Sequence, residues 1–174
     1  MISNDLNIKE YNTYYKNYID KATDVNILKG LRSNLISVVA FYSEIPKEKH
    51  NFSYAAGKWT IKDILLHVID TERIFAYRAL RIGRGDITPM AGFEQNDYVL
   101  TANSAALNLD DIIEEYKAVR MATIHLFQNF EKNNISLLKV GEASGSPFSV
   151  RAIGYIITGH ENHHNQIIRE RYLL

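Results

Sequence analysis

The stretch that decides the fold is SVRAIGYIITGHENHHNQIIRERYLL, residues 149–174. Ile153, Ile156, Ile157, Ile167 and Ile168 recur at the three- and four-residue spacing of one helix face, which predicts a helix from Ser149 nearly to Leu174. His160 and His164 stand four apart on that same face, one turn from each other. The isoleucine stripe turns both imidazoles toward a core rather than toward water. Gly145-Ser146-Pro147 marks the break before this helix.

Working back along the chain, the same periodicity predicts three more long helices. One runs from about Asn26 to Glu44 on Ile27, Leu28, Leu31, Leu35, Val38, Val39 and Tyr42, and Ile45-Pro46 ends it. The next starts at Thr60, where Thr60-Ile61-Lys62-Asp63 resembles a capping box with aspartate in place of glutamate. It carries Ile64, Leu65, Val68, Ile69, Ile74, Phe75 and Leu80 and stops at Gly83 and Gly85. The third begins near Asn108, with Asp110 and Asp111 suited to its positive end, and reaches about Phe130. The fold class is therefore all-α, a four-helix bundle. The connection between the second and third helices is about 25 residues long, and such a crossover permits a parallel pair, which gives an up-down-down-up order. This loop, with Arg84-Gly85-Asp86-Ile87-Thr88-Pro89, is expected to cover one end of the bundle.

The 174 residues fit a single domain, 1–174, with the tyrosine-rich segment 1–22 as an extension packed on the bundle. Lys plus Arg equal Asp plus Glu, which argues against nucleic acid as a partner and against steering onto an anionic membrane. No stretch approaches a membrane span, and the N-terminus lacks the charged and apolar regions of a signal peptide, so the expected location is cytoplasmic. Without cysteine, any metal must be held by nitrogen and oxygen.

His67 lies on the apolar stripe of the second helix. At about 1.5 Å per residue it sits roughly 10 Å from that helix's start, and His164 roughly 12 Å from the end of the last helix. In an antiparallel pair these are one level. A lone inward histidine is ordinarily a hydrogen-bonded core residue, but three at one depth are costly without compensation, and a metal compensates them. His67, His160 and His164 are thus the candidate ligands, with an open position left for water or substrate as in a catalytic site. His160-Glu161-Asn162-His163-His164 also fits H-E-x-x-H, but a metzincin continuation asks for glycine at Ile167 and histidine at Glu170. Glu161 remains a candidate catalytic acid/base beside the metal, against the simpler role of a solvated carboxylate. His163 is read as a rim residue, His50 and His125 as surface or packing residues, and Trp59 as a staple before the helix cap. Thr71, one turn beyond His67, could reach the site. Arg78, Arg81 and Arg84 form a basic stripe that is either a solvated face or an anchor for an anionic substrate.

Two separated motifs carry a family resemblance. Gly57-Lys58-Trp59-Thr60-Ile61-Lys62-Asp63 with Leu66-His67-Val68-Ile69-Asp70 resembles the second-helix signature of the DinB/YfiT-like superfamily, and Ser149-Val150-Arg151 through Gly159-His160-Glu161-Asn162-His163-His164 resembles its last helix. The resemblance implies an up-down-down-up bundle, frequently a homodimer, with zinc or nickel (iron and manganese being alternatives) on the residues matching His67, His160 and His164. It also implies chemistry: relatives include bacillithiol and mycothiol S-transferases and a mycothiol-dependent maleylpyruvate isomerase. The expected function is accordingly a metal-dependent transferase that joins a low-molecular-weight thiol such as bacillithiol to a small electrophile. A metal-dependent hydrolase and a non-catalytic, metal-binding stress-response bundle are the alternatives.

Overall fold

A computed structural model describes residues 1–174. Short 3-10 turns at the N-terminus lead into α1 (Lys16–Ile19). Four long helices follow: α2 (Ile27–Ser43), α3 (Ile61–Gly83), α5 (Leu109–Lys132) and α6 (Val150–Arg171). A shorter helix α4 (Gln95–Ala102) lies between α3 and α5, and a hairpin of β1 (Val140–Ala143) and β2 (Ser146–Ser149) precedes α6. The fold is therefore a four-helix bundle, as expected, with an added two-stranded sheet that periodicity did not reveal.

Local chemistry sets the helix starts. The Asn26 side chain accepts from Lys29 N at the start of α2. Thr60 and Asp63 close a full capping box on α3, the shorter aspartate reaching back to Thr60 N at 2.8 Å. Ser149 caps α6 through Ala152 N.

Residue pairings give the helix directions. Along α3 and α5, Lys62 donates to Leu107 O, Arg73 pairs with Glu115 and Gly83 lies against Phe130, so the two run parallel. Along α3 and α6, Trp59 O accepts from Tyr172, His67 meets His160 and Phe75 meets Phe148, so they run antiparallel. Between α2 and α6, Ile27 lies against Gly154, Asn34 meets Glu161 and Phe41 lies under Arg169, a parallel pair. These pairings make α2 and α6 run one way and α3 and α5 the other.

A parallel α3–α5 pair forces its connection to travel the length of the bundle. The segment 84–108 does so: Met90 bridges to the hairpin, Arg78 donates to Ala91 O, and Ser104 donates to Asp63 near the start of α3. The expectation that it covers one end is thus corrected; it runs along the side and carries α4. The hairpin turns at Ser144 and Gly145, both at positive φ (53° and 66°), as a two-residue primed turn requires.

The core has two apolar halves. One gathers Leu31, Phe75, Ile82, Phe127, Phe130, Phe148 and Ile153. The other gathers Val38, Tyr42, Leu65, Ile69, Ile112, Tyr116 and Ile168. Between them each long helix contributes buried polar residues: Asn34, Thr71 and Glu72, Arg120, and Thr158, His160, Glu161 and Asn165. The candidate site lies in this stratum.

Candidate metal centre

His67 projects from α3, and His160 and His164 project from successive turns of antiparallel α6. His160 Nε2 lies 3.1 Å from His67 Nε2 and 3.1 Å from His164 Nε2. One ring nitrogen from each of the three falls within 4.8 Å of the others. The capping box fixes where α3 begins and hence the height of His67. On α6, Gly159 lets α1 approach so closely that a Cβ there would sit 1.7 Å from Tyr18 O. This contact brings the Tyr18 ring to 5.2 Å from the His160 ring and 5.2 Å from that of His163.

The donor set fits a divalent ion. Four-coordinate zinc–imidazole bonds of about 2.0–2.1 Å place neighbouring ligand nitrogens roughly 3.3 Å apart, close to the 3.1 Å of the two pairs that His160 makes. Burial lowers the His67 pKa to about 4. Burial also lowers that of His164 to about 3, helped by His67, and takes His160 well below the ordinary histidine value with help from His164 and His67. All three are therefore neutral at pH 7, the form that ligates metal. His160 Nε2 faces two other ring nitrogens, and at most one short contact can use its single proton; an ion satisfies all three lone pairs at once. Thr71 Oγ1 lies 3.5 Å from His67 Nδ1, placed to accept its proton and leave Nε2 free.

A cavity of about 300 Å³ opens beside His160, walled by Tyr14, Tyr15, Tyr18, Thr71, Phe75 and Phe93. A second hollow, about 230 Å³, reaches His164 from the other side past Trp59, Asn96 and Tyr172. The Trp59 ring lies 4.8 Å from that of His67 and 6.4 Å from that of His164, so this residue walls the site in addition to preceding a helix cap. Periodicity could not assign Trp59 or Tyr18 this place, since neither belongs to a long helix; their aromatic character beside the motifs was the available signal.

Other expectations are corrected. Glu161 neither stands at the metal as an acid/base group nor meets solvent. One residue on from His160 it is turned about 100° around the helix. Its carboxylate is buried, accepting from Arg120 at 2.9 and 2.7 Å, from Tyr116 at 2.9 Å and from Asn34 at 2.5 Å. The stripe of Arg78, Arg81 and Arg84 also breaks up, because each three-residue step turns the helix about 60° short of a full circle. Arg78 is buried, Arg81 pairs with Asp86 at 2.5 Å, and exposed Arg84 lies over Phe130. Only Arg78 approaches the cavity, from behind its wall. His50 binds Ile45 O, and His125 is exposed on α5.

No curated protein matches this sequence significantly. Among solved structures, YfiT from Bacillus subtilis, described as a probable metal-dependent hydrolase with an unusual four-helix bundle topology, is similar with a TM-score of 0.66, covering 91% of this chain and 86% of that one at 12% identity. At that identity the likeness is one of fold. A family model described as the DinB superfamily matches residues 31–168, which span α2 through most of α6 and include all three clustered histidines. The chain belongs to the DinB superfamily.

Proposed function

We propose that this protein is a metal-dependent enzyme that joins a low-molecular-weight thiol, bacillithiol or one like it, to a small electrophile. The observation that carries this reading is the convergence of three neutral imidazole nitrogens beside a cavity of small-molecule size. A divalent ion on His67, His160 and His164 supplies Lewis acidity, lowering the pKa of a coordinating thiol toward neutrality.

The chain's own groups do the rest. Burial raises the pKa values of Tyr15 and Tyr18, so both phenols stay protonated and serve as hydrogen-bond donors. The thiol proton leaves to solvent, sulfur bonds to the electrophilic carbon as the carbon–oxygen bond of an epoxide breaks, and the released oxygen takes a proton back from solvent while the tyrosine hydroxyls donate hydrogen bonds to it. The apolar rings of Phe75 and Phe93 limit water beside the reacting atoms.

Hydrolysis is the second reading, favoured by the description of YfiT. Transfer is preferred because Glu161 is consumed by Arg120, and the one carboxylate in the cavity wall, Glu94, is engaged by Asn96 N at the start of α4. No carboxylate hydrogen-bonds any of the three histidines, whose ring partners are one another and Thr71. The solvent-reaching cavity also speaks against a purely structural ion. The reading includes a small-molecule substrate, a homodimer and a cytoplasmic setting; sedimentation and cell fractionation check the last two.

The test is metal analysis of untagged protein together with an assay of thiol conjugation to an epoxide. Wild type is expected to hold about one ion per chain and to conjugate; His67→Ala is expected to lose both. Conjugation unchanged by chelation would overturn the enzyme reading, and full metal content in His67→Ala would overturn the ligand set.

A further inference from the structure

The cavity beside His160 is graded along its length. At the histidine end stand His160 itself and the Tyr18 ring, 5.2 Å from it. One turn farther along the bundle, Thr71 of α3 and Ile156 of α6 share a level, because the helices are antiparallel and each residue is four from a histidine of the facing pair His67 and His160. The far end is aromatic. Phe75 stands a further turn along α3, Tyr15 meets it edge-on with ring centroids 5.8 Å apart, and Phe93 closes this end from the crossover. Tyr14, largely exposed, adds a fourth ring edge-on to Tyr15 at 5.0 Å.

Charge sorts the ligands that such a chamber can take. No lysine or arginine lines it, and its one acidic side chain is Glu94, so an anion finds no ionic partner. A cation is disfavoured for another reason. The Arg78 guanidinium lies behind the wall, over the Phe75 ring at 5.0 Å and the Phe93 ring at 5.9 Å. Arginine keeps its charge in proteins, so it already draws on the ring electrons that a cationic ligand would need, and it repels that ligand. A neutral apolar group is left. Between alkyl and aryl, rings set edge-on to one another present faces and edges that an aryl group meets with a gain beyond its buried area. A cavity of about 150 Å³ admits benzene, so about 300 Å³ holds one ring and a short arm.

We infer that the far end of the cavity takes a neutral aryl group, so that the electrophile joined at this site carries an aromatic ring among Tyr15, Phe75 and Phe93 and its reactive carbon toward His160. One to two helical turns separate these rings from the histidines, roughly 6–12 Å along the axis, which suits a phenyl group on a two-carbon arm. The inference rests on the proposed reaction only for which end of the molecule reacts; the ring site needs no metal.

The experiment uses that independence. Ligand-detected NMR titrations of metal-free protein compare 2-phenylethanol with 2-cyclohexylethanol. The cyclohexyl probe is the more hydrophobic, so burial of apolar surface alone gives it the tighter binding. The opposite order is expected, by about threefold or more. Phe93→Leu is expected to lose most of this preference; Phe93 is only partly buried and lies outside both core halves, so the variant should fold. Tyr77→Leu removes an exposed ring outside the cavity and is expected to keep it. Equal binding of the two probes by wild type, the reverse order, or no saturable binding of either would overturn the aryl site. So would an undiminished preference in Phe93→Leu or its loss in Tyr77→Leu. Phenethylammonium and phenylacetate are expected to bind more weakly than 2-phenylethanol, and tighter binding of either would overturn the choice of a neutral ligand. On cobalt(II)-loaded protein, paramagnetic broadening should be stronger at the carbinol protons of 2-phenylethanol than at its ring protons; the reverse would overturn the orientation. Failure of the metal site would appear as absent cobalt, and failure of thiol transfer as absent conjugation, each with the aryl preference intact, so these failures are distinguishable from that of the ring site.

Discussion

Two arginines in this protein have almost no solvent exposure, and their surroundings differ in kind. Arg120 is 0% exposed and uses all five N–H donors: Nε and Nη2 bind Glu72, Nη1 and Nη2 bind Glu161, and Nη1 also donates to Leu31 O. Tyr116 and Asn34 add donors to Glu161. Arg78 is 1% exposed, has two neutral acceptors on one nitrogen, and none on Nη1. The first region is electrostatically closed and ties α2, α3, α5 and α6 together. The second lacks its counter-charge and borders a cavity. Burial alone does not tell a closed ionic network from a charge without a counter-ion; the completeness of the partner set does.

The largest test of this contrast is to delete each arginine. Arg120→Ala leaves two carboxylates buried without their cation and is expected to destabilise the fold by about 4 kcal/mol. Arg78→Met removes a charge with no ionic partner, keeps most of the volume, and is expected to stay within about 1 kcal/mol of wild type. Denaturant midpoints at unchanged slope measure both. Equal losses would break the comparison, because Arg78 would then be as structural as Arg120.

A smaller effect separates the wall of the open region from the closed network. Gly159→Ala places a methyl group against Tyr18 O. Since α1 is a single turn at the bundle surface, it should move outward, at a cost of about 2 kcal/mol. Tyr18 would then leave His160, and the cavity would widen. Native-state hydrogen exchange should show lost protection in residues 16–22 and none around Arg120. Loss of protection throughout α5 would mean that the two regions are one cooperative unit.

The sequence made one of these regions partly legible and hid the other. The isoleucine spacing of α6 turned His160 and His164 inward, and the Thr60-Asp63 box set the height of His67. Ligand geometry thus follows from helix period plus two caps. The Arg120 network does not, because Glu72, Arg120 and Glu161 each look like an ordinary solvated residue within their own helix. Their neutralisation exists only across helices separated by dozens of residues. Arg78 was hidden in the same way among Arg81 and Arg84, which do face outward. α4 has no buried residue and hence no apolar period to read. The hairpin has four-residue strands interrupted by Gly141 and Pro147, and its identity depends on the tertiary anchor at Met90.

The smallest effect comes from a third arginine, partly solvated, which lies between the two extremes. Arg151 donates to both oxygens of Glu10, at 2.6 and 2.5 Å, and fastens the N-terminal segment to the start of α6. Ser149, the cap of that helix, donates to the same carboxylate. The Arg151 hydrogen bonds outweigh burial, and with the Asn7 amide and Ser149 they hold the Glu10 pKa at about 2, well below the ordinary glutamate value. A carboxyl whose pKa is lower folded than unfolded binds fewer protons when folded, so its stabilisation is complete above about pH 4.5 and disappears as the pH falls toward 2. The Arg151 side chain is 26% exposed, so solvent screening limits the effect to about 1 kcal/mol. Glu10→Gln should therefore be less stable than wild type at pH 7 by that amount, with the gap closing between pH 4.5 and 2, followed by urea titration at each pH. A gap independent of pH would show that shape, and not charge, fastens this segment, and partner completeness would then matter only in the fully buried stratum.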